Sequence, residues 1–395
     1  MKIKNAVNLD EVRLCAKARL PKIAFDFIDG GVHDEHGLAT NREAFRRYRL
    51  LPRFLTDVSN LDQSVEIFGK IYSSPVGIAP MGIAGLFRPG ADLMLAQAAA
   101  DANVPYVMSS ASCDSIEKAA KIAPDNAWFQ VYGTRNPEIT RDLVRRATDC
   151  GVKVLVLTID TPALGGRERN IRNGFTRPMK LRPEIVLQGI MHPAWALSYM
   201  RNGGTPLMEN WVPYAEGGGA EAAADLYGRE TPAPGQTWAV LEAIRGIWKG
   251  PLVVKGVLSP GDARRCDECG ANGIIISNHG GRQLDRAPSP IEMIASIRAA
   301  VGNDIVLGMD SGIRRGSDVV IAACLGIKFA LIGRPALFGV AAGGKPGGDK
   351  VLKMMRGEID NILAQIGAPQ FSKLNSDFVL DRFVGLPSGF AASLG

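Results

Sequence analysis

No stretch of about 18 consecutive apolar residues occurs in the chain, so no membrane-spanning helix is expected. The opening MKIKNAVNLDEVRLCAKARL is amphipathic and lacks the apolar centre of a secretory signal, which predicts a cytoplasmic protein. Cysteine is sparse: six scattered residues in 395 suit reduced thiols rather than a disulfide framework. Cys266 and Cys269 form a single CxxC in a helix-like stretch. Without a second pair or a nearby histidine they read as ordinary helix cysteines, and no metal is expected. No GxGxxG follows the first strand-like run, which argues against a dinucleotide site, and no Walker A sequence is present. Basic runs, aromatic RNA-binding stripes and zinc-finger spacings are missing too, so nucleic acid is not an expected partner.

What is present fits a soluble globular enzyme: 46% hydrophobic and 22% charged residues. The balance is basic, +6 with a pI near 9.0. With nucleic acid set aside, that leaves anionic small ligands and anionic membrane surfaces as partners.

Eight short apolar runs read as strands: 75–80, 105–110, 127–133, 152–160, 251–257, 273–278, 305–311 and 329–334. Helix-like stretches at 91–102, 115–123, 137–150, 260–268, 290–300 and 316–325 lie between most of them. Strands apolar throughout suit a parallel sheet covered on both faces. Eight β/α alternations predict an α/β fold, a closed (β/α)8 TIM barrel, with a doubly wound sheet as runner-up. About 250 residues suffice for such a barrel. The excess is assigned within a single domain to an N-terminal helical segment (1–70), an insertion after the fourth strand (161–250), and C-terminal helices and tail (349–395). Gly217 to Gly219 and the proline-rich 231–235 are expected to be mobile.

The most informative stretch is SNHGGRQLD, residues 277–285, directly after the apolar run GIII. It brings a potential base, His279, and a fixed cation, Arg282, to one strand mouth, with Gly280 and Gly281 permitting a sharp turn. A base beside a carboxylate anchor is what oxidation of a 2-hydroxy acid requires. Other distinctive polar residues also fall at or just past the ends of proposed strands: Ser109, Gln130, Tyr132, Thr158, Asp160, Lys255, Asp310 and Gly333-Arg334. That is the face on which barrel active sites form.

SNHGGRQLD resembles the signature of the FMN-dependent 2-hydroxy acid dehydrogenase/oxidase family, which includes glycolate oxidase and the lactate and mandelate dehydrogenases. LPK (20–22), WFQVY (128–132), LTIDTP (157–162), VKG (254–256), DSGIRRG (310–316) and IGRP (332–335) resemble further family landmarks, in family order. Only about 175–240 is loosely matched. The resemblance implies FMN as cofactor. It implies hydrogen bonds to the isoalloxazine from Ser109, Gln130 and Thr158, and Lys255 at the N1/O2 side. Pro80, Met81, Gly82 and Ser277 join the expected cofactor set. Asp310, Gly312, Arg314, Gly333 and Arg334 match the family's ribityl and phosphate contacts. His279 would be the base, with Asp160 raising its proton affinity. Arg282 and Arg167 would grip the substrate carboxylate, and Tyr132 would hydrogen-bond to the substrate. Arg167 lies in GGRER (165–169), which reads as a mobile loop where a solvated arginine is equally expected.

Two positions depart from the family pattern. Phe27 stands where most members have a tyrosine that donates to the carboxylate, and Ala111 where glycolate oxidase has tryptophan. Both imply a substrate larger than glycolate, of lactate, mandelate or bulkier type. Gly82 stands where the dehydrogenases tend to have glycine and the oxidases alanine, which favours a quinone or similar electron acceptor over oxygen. The hydrogen-peroxide-forming oxidase stays as the alternative. Two further rivals are an FMN barrel that isomerises its substrate and a flavin-binding scaffold. Residues 176–215 interleave cations with apolar residues and tryptophans, so the segment is expected either to touch the inner face of an anionic membrane or to form a lid or subunit contact. A homotetramer is common in the family.

Overall fold

The computed structural model describes residues 2–175 and 182–382. Eight parallel strands close into a barrel: β1 (Val76–Ile78), β2 (Tyr106–Ser109), β3 (Ala127–Tyr132), β4 (Leu155–Thr158), β5 (Leu252–Val257), β6 (Gly273–Ile276), β7 (Val306–Met309) and β8 (Phe329–Ile332). β8 pairs with β1 to complete the ring. Each expected strand contains an observed one, and most are shorter at the C-terminal end. The polar residues there, such as Asp160, Asn278 and Asp310, have left the ladder for the loops. The strands are buried on both faces, which is why they show no polar alternation. The intervening helices carry their own start signals. Asn136 accepts from Glu138 N ahead of Pro137–Asp149, and Ser259 accepts from Asp262 N ahead of Pro260–Glu268.

The N-terminal 70 residues are not purely helical. Three helices, Leu9–Arg19, Lys22–Asp29 and His36–Glu43, are followed by the strand Tyr48–Leu50 and a hairpin of Val65–Ile67 and Lys70–Tyr72. The hairpin forms because Phe68 and Gly69 both take positive φ, the tight turn that matches strand twist. It plugs the N-terminal end of the barrel: Trp128 Nε1 donates to Tyr72 Oη at 3.0 Å, and the Phe68 ring lies 5.8 Å from the Trp128 ring. At the other end of the chain the helices Arg334–Gly343 and Lys345–Gln365 lead to the strand Val379–Asp381, which pairs antiparallel with Tyr48–Leu50. Residues 383–395 lie outside the described residues.

Between β4 and β5 run the helices Glu168–Arg172, Pro183–Met191, Pro193–Arg201, Gly219–Glu230 and Trp238–Ile247. The tryptophans of this segment do not face outward. Trp195 is buried and donates to Leu86 O at 2.9 Å, and Trp211 is buried and donates to Ser110 O at 2.9 Å. Each indole N–H finds a carbonyl of the barrel's loops, so these residues fasten the segment to the body. The surface of the helix pair 183–201 is instead aliphatic: Val186, Leu187, Ile190, Met191, Leu197 and Met200 are exposed. The expected contact segment begins at 176, and residues 176–181 lie outside the described residues.

Candidate active site

One pocket opens at the C-terminal ends of the strands. Its lining includes Phe27, Pro80, Met81, Gly82, Ser109, Ala111, Tyr132, Arg167, Lys255, His279, Arg282, Asp310, Gly312, Arg314, Gly333 and Arg334. Its empty volume is about 1090 Å³, mouth included. Gln130, Thr158, Asp160 and Ser277 stand directly behind this wall. Strand register brings them there: Ser109 is opposite Gln130, Tyr132 opposite Thr158, and Thr158 opposite Lys255.

His279, Gly280 and Gly281 all take positive φ, and the chain reverses over these three residues. A Cβ on Gly281 would come within 2.6 Å of Leu38 N. His279 itself is a non-glycine residue held left-handed, a strain typical of functional sites. Its backbone N–H donates to Ser277 Oγ at 3.0 Å, which also receives Lys255 Nζ at 3.0 Å. The Gly280 N–H donates to Ser311 Oγ, whose own hydrogen goes to Asp310 Oδ1. Two serines thus tie the histidine turn to the neighbouring strands. Asn278 and Asp285 serve the framework: Asn278 exchanges two hydrogen bonds with Asn41, and Asp285 accepts from Gly37 N.

His279 Nδ1 lies 2.9 Å from Asp160 Oδ1. With Asp160 ionised, Nδ1–H is the donor and Nε2 is the basic nitrogen. Desolvation lowers the proton affinity of His279, and Asp160 raises it; the balance falls below the ordinary value. Asp160 therefore lifts the histidine, as expected, but only part of the way. Burial raises the Asp160 pKa, yet the charges of His279 and Lys255 more than offset this and keep it low. Gly256 makes the approach of Asp160 feasible. It follows Lys255 at φ 104°, and a Cβ there would lie 2.6 Å from Asp160 Cγ.

Lys255 is almost fully buried and lies 3.3 Å from Asp310 Oδ2, so its permanent anion within the protein is a carboxylate. Burial lowers its pKa, but Asp310 and Asp160 raise it further, and the ammonium persists. Five cations line the pocket, Arg167, Lys255, Arg282, Arg314 and Arg334, against the single carboxylate of Asp310. Arg282 donates to Gly30 O at 2.8 Å and lies over the Phe27 ring at 5.3 Å. Arg334 donates to the carbonyls of Ile28, Gly280 and Gly30. Burial, then its neighbour Arg314, pushes the Arg334 pKa down to about 9; burial and then Arg42 bring Arg314 to about 10. Arg282 is depressed well below its usual value by burial, then by Arg167 and Arg334. Buried cations that repel one another are stabilised by an incoming anion.

Several buried polar atoms among the described residues have no protein partner, and Gln130 Nε2, Thr158 Oγ1 and Asp160 Oδ2 lie at this site. Gln130 Oε1 accepts from Ser109 Oγ at 3.0 Å, which turns Gln130 Nε2 elsewhere with nothing to bond; Thr158 Oγ1 is in the same position. Buried polar atoms are rarely left so unless a ligand or water completes them. A flavin with its phosphate fits both features, because its ring edge offers hydrogen-bond partners and its phosphate offers the missing negative charge.

The 165–169 loop is better anchored than its sequence suggests. Arg169 pairs with Glu35 and, at 3.3 Å, with Asp29, while Arg167 Nη2 donates to Gln283 Oε1 at 3.4 Å. Gln283 in turn donates to the carbonyls of Asp160 and Ala163. Motif reading quoted Gln283 and Ser311 without giving either a role, and it passed over Asn41 and Tyr227, the last also in the pocket lining. For Gln283, Ser311 and Asn41 local spacing carries no signal, because Asp160, Gly280 and Asn278, which they bond, lie more than 30 residues away in sequence.

Comparison with known proteins agrees with this geometry. Residues 16–381 match the family model described as FMN-dependent dehydrogenase. The (S)-mandelate dehydrogenase of Pseudomonas putida is 41% identical over 380 residues, covering 96% of this chain and 95% of that protein. The L-lactate oxidase of Nostoc sp. (strain PCC 7120) is 36% identical, covering 95% and 99%. A solved structure described as the monotopic membrane protein (S)-mandelate dehydrogenase superposes with a TM-score of 0.92 at 41% identity, covering 95% of this chain and all of that one.

Proposed function

The chain belongs to the FMN-dependent dehydrogenase family, an enzyme that oxidises an (S)-2-hydroxy acid to the 2-oxo acid, and from that premise we propose its substrate class, residue roles and setting. The substrate carries a side chain larger and more apolar than that of glycolate or lactate, of the mandelate kind. Arg282 and Arg167 clamp its carboxylate, and Tyr132 donates a hydrogen bond to it. His279 Nε2 takes the proton leaving the carbinol centre, while Asp160 holds the Nδ1 side and stabilises the imidazolium. FMN, when bound, accepts the two electrons. Ser109, Gln130, Thr158, Ser277, Lys255 and residues 80–82 hold its ring system; Asp310, Gly312, Arg314, Gly333 and Arg334 hold its ribityl and phosphate groups.

The observation that carries this reading is a neutral histidine base set among five cations with one carboxylate between them. The pocket has an apolar lining beside its cations: Phe27, Ile83, Phe87 and Ala111, with the Phe175 ring 4.8 Å from Phe27. Anaerobic bleaching of the flavin by a panel of glycolate, lactate, mandelate and longer apolar 2-hydroxy acids tests the substrate class. Mandelate or a longer acid should give the highest kcat/KM; glycolate in first place would overturn it.

The electron acceptor is a quinone or dye rather than oxygen, in keeping with Gly82, and stopped-flow reoxidation by each at equal concentration decides between them. The exposed aliphatic face of 183–201 docks peripherally on the inner face of an anionic membrane. No helix among the described residues is long and apolar enough to cross one. A homotetramer is the assembly proposed in solution, tested by sedimentation velocity.

A further inference from the structure

We infer that Tyr227 is a further substrate-binding residue, whose phenol donates to the substrate carboxylate the hydrogen bond that Phe27 cannot. This rests on the proposed 2-hydroxy acid pocket and adds a residue from outside every recognised motif.

Tyr227 belongs to the helix Gly219–Glu230, yet it lines the same pocket as Phe27, Tyr132, Arg167 and Arg282. Its position is fixed at both ends. Its backbone carbonyl accepts two hydrogen bonds from Thr231, from N at 2.9 Å and from Oγ1 at 2.7 Å. Its ring packs edge-on against Trp211 at 5.0 Å between centroids and 80° between planes. Trp211 is buried and hydrogen-bonded to Ser110 O, so it forms a rigid back wall. Tyr132 lines the same pocket from β3. Two phenols, one from β3 and one from the 219–230 helix, therefore line the pocket that holds Arg167 and Arg282. Phe27 contributes only a ring, 5.3 Å below the Arg282 guanidinium. A carboxylate held by Arg282 has acceptor capacity beyond one guanidinium, and a phenol O–H in the same pocket can fill it.

The test uses the FMN-loaded enzyme, with (S)-mandelate or the best acid of the panel, in anaerobic stopped-flow. Tyr227→Phe keeps the ring against Trp211 and removes only the hydroxyl. It should weaken apparent substrate binding on the order of 10- to 100-fold, the worth of a hydrogen bond to a charged group, with a smaller change in the limiting reduction rate. Phe27→Tyr added to Tyr227→Phe should recover most of that loss by restoring a phenol from the other side. Binding within twofold of wild type in Tyr227→Phe would overturn the inference, and so would strictly additive effects in the double variant. Loss of FMN from Tyr227→Phe would overturn it too, because the phenol would then belong to the framework. If wild type is bleached by no 2-hydroxy acid, the substrate reading fails and this inference with it. A responsive wild type beside an unaffected Tyr227→Phe sinks the inference alone.

Discussion

At the residue scale, the proposed base is tuned by opposing effects. Desolvation favours neutral His279, and Asp160 at 2.9 Å favours the charged form without winning. The sign has a consequence for pH. A base with a lowered pKa stays unprotonated until the pH falls below the ordinary histidine value. The acid limb of kcat/KM should then lie below 6.5, and a limb above 6.5 would contradict the balance. Asp160→Asn removes the charge that lifts the histidine. That limb should move further toward acid, and the reduction rate should fall because the base is weaker. His279→Ala should retain FMN and lose roughly 10²–10⁴-fold in the rate of reduction by substrate. A single-turnover rate near wild type would remove His279 from the mechanism.

At the scale of elements, β5 does more than close the barrel. Its register slips between Lys255 and Val257, and Gly256 in the slip takes a φ of 104°. The slip lets the β4 loop bring Asp160 against β5, and the Asp160 Cγ occupies the space a Cβ would need. Gly256→Ala should therefore displace Asp160 and strain the strand at a cost of about 1–3 kcal/mol. Denaturant unfolding would read the stability loss, and stopped-flow reduction should show a loss in the same direction as Asp160→Asn. A variant with unchanged stability and rate would show that the slip tolerates a side chain. This role was hidden in the sequence. VKG announces a lysine and a glycine, but the carboxylate that needs the glycine stands 96 positions earlier, and only strand pairing brings the two together.

At the scale of the whole molecule, the proposed membrane docking rests on the basic charge and the aliphatic face of 183–201 together. In the proposed docking, the net charge of +6 would draw the protein to an anionic surface, and exposed Leu187, Ile190, Met191 and Met200 would supply apolar area there. Sedimentation with anionic liposomes should capture the protein at low salt and less of it at high salt, because the surface charge is screened. Leu187→Asp with Ile190→Asp should abolish capture while leaving substrate reduction of the flavin unchanged, since neither residue lines the pocket. Protein left in the supernatant at low salt would make the helix pair a lid or subunit contact.

The sequence by itself determined the barrel, because eight strands buried on both faces must be apolar throughout, and that pattern survives without any knowledge of their partners. It also singled out His279, Lys255, Arg314 and Arg334, which the structure gathers around one pocket, because a base in a glycine turn, a strand lysine and arginines beside glycines are costly unless used. The N-terminal hairpin was missed because strands of three residues give too short a period to detect. The direction in which Trp195 and Trp211 face was missed because a tryptophan in a basic apolar segment suits an interface and a core equally well. Only the tertiary structure decided these, along with the excess of cations in one pocket, the unmet groups on Gln130 and Thr158, and the arrival of Tyr227 in the pocket that Tyr132 lines. Each depends on distances between residues far apart in the chain. Periodicity and local spacing hold no record of such distances; closing the barrel creates them.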